Sequence, residues 1–217
     1  MKTITENRQR FLDRLAGHFS IEDMRLIEYA YDLSKEAHRT HVRDSGERYF
    51  EHPREGALII IDELKLYDRD LIIAFLLHDT GEDSPIFGNR NVSYKLFRET
   101  LLFRTKLLFG NRVASILLRL TKPSIDRVIF NSKDAVKRFY LSGIRKSADA
   151  IIGKMVDRLH NLRTLSECSK DKVLSQIKET EEVYIPIFSS VTGEKQKYAD
   201  MLLSKIFAEL QTLKASL

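Results

Sequence analysis

Seven consecutive apolar residues, Leu71-Ile72-Ile73-Ala74-Phe75-Leu76-Leu77, run directly into His78-Asp79-Thr80-Gly81-Glu82-Asp83. A run of that length with no polar residue in it belongs in the interior of a domain. No other stretch alternates apolar and polar residues usefully, so the run reads as a buried helix, Arg69 to Asp79. Nothing about ending a core helix requires His-Asp. On a helix, residues four apart share a face, which sets His78 over Glu82 and Asp79 over Asp83. Two imidazole/carboxylate pairs there concentrate metal ligands and proton carriers. The plainer alternative is a helix C-terminus with solvated acids, broken by Gly81 and kept broken by Pro85. These residues alone do not separate the two.

The rest of the chain reads as further helices. Thr3 to Ala16 is a short amphipathic one, with Ile4, Phe11, Leu12 and Leu15 inward. Ser20 caps a second, which runs to about His41. Arg43 to Pro53 has no helical period and is a charged loop, with a turn at Ser45-Gly46 and His52 at the N-cap of the next helix. Arg54 to Leu64, Val92 to Phe109, Arg112 to Leu120 and Ser132 to Leu141 follow, with breaks at Gly110-Asn111 and at Lys122-Pro123. Ser147 caps a helix that carries Met155 to Leu165. Its apolar stripe is Ile152, Met155, Leu159 and Leu162, and Asp157, Asn161 and Thr164 share the opposite side. That polar side is either an ordinary solvated face or the wall of a cleft. Lys172 to Phe188 and Glu194 to Leu213 are the last two helices.

The balance of residues limits the classes open to such a chain. With 43% hydrophobic and 31% charged residues, four Pro and nine Gly, it is an ordinary helix-rich globular chain of 217 residues. No apolar run approaches a membrane span, and the N-terminus carries no secretory h-region. A lone Cys168 makes no internal disulfide. The cytoplasm is the expected compartment. The net charge of +5 is spread among acids rather than blocked. It identifies no nucleic-acid partner, and no recognition helix with a basic stripe appears.

His52, His78-Asp79 and Asp157 hold two imidazoles and two carboxylates on separate segments. That mixed set suits Mn²⁺, Fe²⁺ or Zn²⁺ better than Ca²⁺ or a thiolate-bound structural zinc. A His…His-Asp…Asp order on an all-helical chain resembles the HD phosphohydrolase superfamily. The flanking residues narrow the resemblance. Arg43-Asp44-Ser45-Gly46-Glu47 with Tyr49-Phe50-Glu51-His52-Pro53 is similar to the pattern R-x-S-G-E-P-Y-x-x-H-P. Leu77 to Asp83 is similar to L-H-D-x-x-E-D, and Lys154 to Leu165 to K-L-A-D-R-x-H-N-M-R-T-L. Glu179 to Ile187 is similar to E-T-x-x-x-Y-x-P-L. Together these resemble the hydrolase domain of RelA/SpoT homologues, over about residues 22 to 190.

The resemblance implies an all-α HD-domain bundle of about ten helices. Residues 1–217 would form a single domain, with a core at about 22–190 and an added C-terminal helix at 194–213. It implies that His52, His78, Asp79 and Asp157 hold one Mn²⁺, and that Glu82 and Asp83 are the acid/base pair. Arg43, Ser45, Asn161 and Thr164 would hold the nucleotide, with Arg43 against the base, and Lys154 and Arg163 would help neutralise phosphate. The implied reaction removes the 3′-pyrophosphate of ppGpp or pppGpp. A small stand-alone hydrolase is the expected form, with a nucleotide and no nucleic acid or membrane as partner. The last helix is a candidate for capping the core or for making a homodimer.

Departures from the family pattern include His41 where Gln is frequent and a longer stretch from Tyr94 to Phe109; in addition, Arg48 stands where Pro is usual and Gly81 where an aliphatic residue is usual. These last two are expected at the pocket rim. The rival readings are an HD phosphohydrolase acting on ppApp or NADPH, a non-catalytic alarmone-binding module, and a basic helical nucleic-acid binder.

Overall fold

The computed structural model describes residues 7–42, 46, 48–88, 91–126, 128–165 and 168–217. Among them the one β feature is a single antiparallel bridge between Val42 and Arg48. Everything else regular is helical, so the all-α expectation is met. Several helix starts follow from short polar side chains, each accepting a first-turn N–H that would otherwise lack a partner. Ser20 accepts from Asp23 N to open α2 (Ile21–Ala37). Ser132 accepts from Ala135 N to open α8 (Lys133–Ile144), and Ser147 from Ala150 N to open α9 (Ala148–Arg163).

The ends are less regular than the periodicity predicts. α1 (Arg8–Asp13) starts after an Asn7 cap, later than expected. α2 stops at Ala37 rather than near His41. α3 (Glu51–Leu58) takes Phe50 as its N-cap, so His52 is its second residue and Pro53 its third. Pro is tolerated there because first-turn N–H groups have no intrahelical acceptor. α3 continues through a wider π turn, Ile59–Glu63. The α6 (Tyr94–Phe109) and α7 (Asn111–Leu120) pair breaks at Gly110, whose φ of 93° suits glycine. α8 runs straight through Gly143. The expected 172–188 helix is α10 (Lys170–Glu179), a π turn at Thr180–Tyr184 and α11 (Ile185–Phe188). α12 (Gln196–Ala215) begins two residues later than expected and ends later too.

Two helices hold the bundle together. α4 (Arg69–Leu76) packs on α2, α3, α7 and α9, and every residue from Leu71 to Leu77 has no exposed surface. α9 packs on α12, α7, α3 and α4, with Ile152, Met155 and Leu159 fully buried and Leu162 nearly so. Each such side chain contributes about 1.5–3 kcal/mol by leaving water. Gly56 allows α3 to lie hard against α4, because a Cβ there would occupy the place of the Phe75 ring. The sequence motifs sit where α3, the end of α4 and α9 converge. No helix among the described residues is long and apolar enough to cross a membrane.

Candidate metal centre

α4 ends at Leu76, three residues before the expected end. Leu77 to Asp79 form a turn, and Thr80–Asp83 make one further helical turn, α5. His78 and Glu82 therefore do not stack on one continuous helix. The turn serves the site instead, because it points both His78 and Asp79 toward α3 and α9.

There the side chains meet. His52 Nε2 lies 3.1 Å from Asp157 Oδ1 and 3.7 Å from Asp79 Oδ2. His78 Nε2 lies 3.2 Å from Asp79 Oδ1 and 3.9 Å from Asp157 Oδ1. His52, His78 and Asp157 are all buried, and their ligand atoms fall within 4.8 Å of one another. Asp79 stands beside them with 17% of its side chain exposed.

The donor set passes a test of fit on His78. Its Nδ1 is 2.8 Å from the Phe75 carbonyl oxygen, which can only accept, so Nδ1 carries the proton. In the neutral ring Nε2 is then the acceptor. It is buried and makes no hydrogen bond with the protein. A buried acceptor aimed at two carboxylates and a second imidazole suits a divalent cation of the Mn²⁺, Fe²⁺ or Zn²⁺ kind. On His52 the second nitrogen, Nδ1, meets His160 Nδ1 at 2.8 Å. A hydrogen bond to the far nitrogen of this kind orients a ligating histidine.

Charge is arranged around this cluster. Burial opposes protonation of His52 and lowers its pKa, against the pull of Asp157 and Asp79. Burial also works against the Asp157 carboxylate, yet Lys154 and His52 hold it well below the usual carboxylate range. Lys154 Nζ is 2.6 Å from Asp157 Oδ2 and sits over the rings of Tyr140 and Tyr184 at 5.6 and 5.5 Å. Asn161 donates to Asp157 Oδ1 at 2.8 Å. The polar side of α9 is thus a cleft wall.

A cavity of about 300 Å³ opens over the cluster. Glu82, Lys154 and Asn161 line it, with Lys122, Tyr49 and Arg158. Glu82 accepts from the Lys122 backbone N–H, so its carboxylate is fixed toward the cavity. Asp83 is exposed and hydrogen-bonds with Tyr49, whose phenol also reaches Asp79. Burial, with Asp79 and Asp83 beside it, keeps the Tyr49 hydroxyl protonated well above the usual tyrosine range.

Other expected site residues are placed differently. Thr164 is the C-cap of α9, and its hydroxyl bonds the carbonyls of His160 and Asn161. Arg163 is held by Glu63 at 2.6 Å and Glu209 at 3.2 Å, in a separate cavity with His160. Arg43 and Ser45 lie outside the described residues. Gly81 is buried rather than at a rim, because a Cβ there would come 2.7 Å from Thr121 Oγ1. Arg48 is exposed and pairs with Glu51 at 2.9 Å.

Tyr49, His160, Arg158, Tyr140 and Tyr184 were not picked out as site residues from the sequence. All but Tyr140 stand inside the motifs given above, and that is the available signal. Arg158 lies 4.1 Å over the Tyr184 ring and bonds Gln176 and Glu179, joining α9 to α10 across the cavity.

A helical domain that gathers two histidines and two aspartates under a cavity, with carboxylates and cations at its edge, has the side chains to hold a divalent metal ion. The family model described as HD domain matches residues 30–193. A Brucella melitensis protein described as GTP pyrophosphokinase rsh is 34% identical over 168 residues, 75% of this chain and 20% of its own. The Escherichia coli K12 bifunctional (p)ppGpp synthase/hydrolase SpoT is 31% identical, over 81% of this chain and 23% of its own. An Aquifex aeolicus guanosine-3′,5′-bis(diphosphate) 3′-pyrophosphohydrolase is 33% identical, again over 81% and 23%. This chain thus spans about a fifth of the length of these curated relatives. A solved structure of a metazoan orthologue of SpoT, described as hydrolysing ppGpp, superposes with a TM-score of 0.63 at 21% identity. It covers 91% of this chain and 98% of its own, and so shares the fold. The chain belongs to the HD-domain family, on its RelA/SpoT side.

Proposed function

We propose that this chain is a Mn²⁺-dependent 3′-pyrophosphohydrolase of (p)ppGpp, releasing GDP or GTP and pyrophosphate. The observation that carries the reading is the bare, buried Nε2 of His78, set among His52, Asp79 and Asp157 under a cavity that Glu82 enters. The relatives with that activity in their names support it.

His52, His78, Asp79 and Asp157 are the residues that would hold the ion. When bound, it supplies a Lewis acid that lowers the pKa of water and polarises a phosphoryl oxygen. Hydrolysis joins a water oxygen to the phosphorus carried on the 3′ oxygen and breaks the bond between that phosphorus and the 3′ oxygen. Glu82 and Asp83 are assigned the proton transfers, one taking the water proton and the other protonating the departing 3′ oxygen. Tyr49 holds Asp83 beside Asp79. Lys154 supplies fixed positive charge for the phosphates, in a site walled by protein, where it counts for more than in water. Asn161 holds Asp157 and faces the nucleotide. Arg43 and Ser45 are assigned to the nucleotide by motif, and Thr164 to the helix end beneath it. Arg163 is assigned to holding α12 and the π turn at Glu63 rather than to phosphate. The chain is read as one domain with a free nucleotide as its partner, in the cytoplasm, with α12 available for a homodimer.

The test is to incubate the purified protein with ppGpp and Mn²⁺, with and without EDTA, and to separate the nucleotides. GDP and pyrophosphate that vanish with EDTA are expected. No turnover by protein shown to hold Mn²⁺ would overturn the substrate assignment.

A further inference from the structure

A second cavity, of about 560 Å³, lies between α6, α7 and α8. That is the size of a small-ligand site rather than of a surface dimple. Arg98, Lys106, Arg119 and Lys146 line it, and no carboxylate does. None of the four has an acidic partner among the described residues, although the chain is rich in ion pairs elsewhere. Arg119 is the telling one. It is half-buried, spends Nη1 on the Gly143 carbonyl at 2.9 Å, and leaves Nε buried with no acceptor. A guanidinium withdrawn from water without a counter-ion is costly, and an anion in the cavity would relieve it.

The other walls are aromatic. Phe103 and Phe139 both face the cavity and are 68% and 45% exposed. Tyr94 meets Phe139 edge-on at 5.6 Å and steadies it. Cations without acids, beside exposed ring faces, match an organic polyanion carrying a flat ring.

This cavity adjoins the candidate active site through one segment. Tyr140 lines both cavities, and its hydroxyl donates to Leu120 O at 3.0 Å. Thr121 lines the cationic cavity and packs on Gly81. The next residue, Lys122, holds the Glu82 carboxylate by its backbone N–H. A ligand pressing on Thr121 therefore acts on Glu82 with no intervening layer.

We propose that this cavity binds a nucleoside polyphosphate as a regulatory ligand, its phosphates on Arg98, Lys106, Arg119 and Lys146 and its base against Phe103 and Phe139. The binding stands on the cavity alone. The regulation rests on the hydrolase reading given above.

Calorimetric titration of the EDTA-treated full chain with ATP and with GTP tests the binding without any turnover. Binding is expected to weaken at least tenfold in the exposed-residue variant Arg98→Glu/Lys106→Glu, to weaken in Phe139→Ala, and to be unchanged in Lys154→Ala. Inorganic tripolyphosphate is expected to bind at least tenfold more weakly than either nucleotide. No nucleotide binding at millimolar concentration, binding untouched by the charge reversal, or binding lost in Lys154→Ala alone would overturn the site. Tripolyphosphate binding as tight as ATP would overturn the ring contact. An acidic helical peptide that binds where nucleotides do not would make the surface a protein interface instead. For the coupling, ATP is expected to change ppGpp turnover severalfold in the natural protein and not in Arg98→Glu/Lys106→Glu. Binding with no change in rate would overturn the coupling and leave the site. Absence of any turnover would count against the hydrolase reading alone.

Discussion

The Nδ1 atoms of His52 and His160 lie 2.8 Å apart, both residues buried. Two neutral imidazoles can share one proton there, and with that proton on His52 Nδ1 the Nε2 that faces the metal cluster is an acceptor. His160→Gln keeps a polar group on α9 and replaces none of the four proposed ligands, only the partner of His52. Removing such an outer partner is expected to weaken Mn²⁺ binding by roughly 10–100-fold. Titration followed by metal analysis reads this directly, and unchanged affinity would show that His52 is oriented by Asp157 alone.

Gly81 in α5 packs against Thr121, the C-cap of α7. A Cβ on Gly81 would come 2.7 Å from Thr121 Oγ1, 2.9 Å from its Cγ2 and 3.1 Å from Leu101 Cδ1. Gly81→Ala is therefore expected to destabilise the protein by about 1–3 kcal/mol, as overpacking does. It should also disturb Glu82, the next residue. Thr121→Ala removes both of the nearest atoms, so Gly81→Ala/Thr121→Ala is expected to recover part of the loss. Urea unfolding of the three variants measures it, and simple additivity of the two single effects would mean that the contact is not the cause.

Local chemistry carried much of the fold into view. Ser20 and Ser147 were readable as caps because a short hydroxyl side chain serves the nearby N–H, and Ser132, read only as the start of a helix, plays the same part. Gly110 was readable as a break because its backbone enters a region that other residues avoid. The π turns at 59–63 and 180–184 were not readable, since they shift the hydrogen-bonding partner without changing residue types. The end of α4 at Leu76 was hidden for another reason. The apolar run continues to Leu77, and the turn that follows is closed by Thr80 bonding back to the Leu77 carbonyl, with Gly81 packed on Thr121. The candidate ligands were visible through motif order, and His160 stood in the same motif, but its contact with His52 shows only once α3 is laid against α9. The opposite placements of Lys154 and Arg163 likewise depend on which face of α9 meets Glu63.

His38 has 1% of its surface exposed, and neither ring nitrogen has a hydrogen-bond partner. Burial brings its pKa down to about 4 from the usual 6.5, with Asp79 pulling the other way and His78, His41 and His52 adding to the fall. Between those two values the unfolded chain binds a proton that the folded chain does not. Stability contributed by neutral His38 is thus whole above about pH 6.5 and is lost as the pH falls toward 4. The loss is expected to reach about 2 kcal/mol between pH 6.5 and 5. In His38→Asn that part of the slope should be absent. Equal slopes in the two proteins, from denaturant unfolding at several pH values, would place the titrating group elsewhere.

Tyr49 connects the two halves of the proposed site, because its hydroxyl hydrogen-bonds with Asp79 in the metal cluster and Asp83 in the acid/base pair. Held protonated by burial and by those carboxylates, it can donate to either and so fixes the position of Asp83, which is otherwise exposed. Tyr49→Phe removes the hydroxyl and keeps the ring that stacks on His38 at 4.8 Å. The metal should stay, since His52, His78 and Asp157 are untouched. Turnover of ppGpp is expected to fall by about 10²-fold, the lower end of what a positioned proton carrier contributes. Asp83→Ala should lose at least as much with Mn²⁺ still bound. In the double variant the two losses should not multiply, because the phenol acts on the reaction through that carboxylate. Steady-state rates with parallel metal analysis separate these cases. If Asp83→Ala released the metal, its assignment to proton transfer would fall and it would become a support for Asp79.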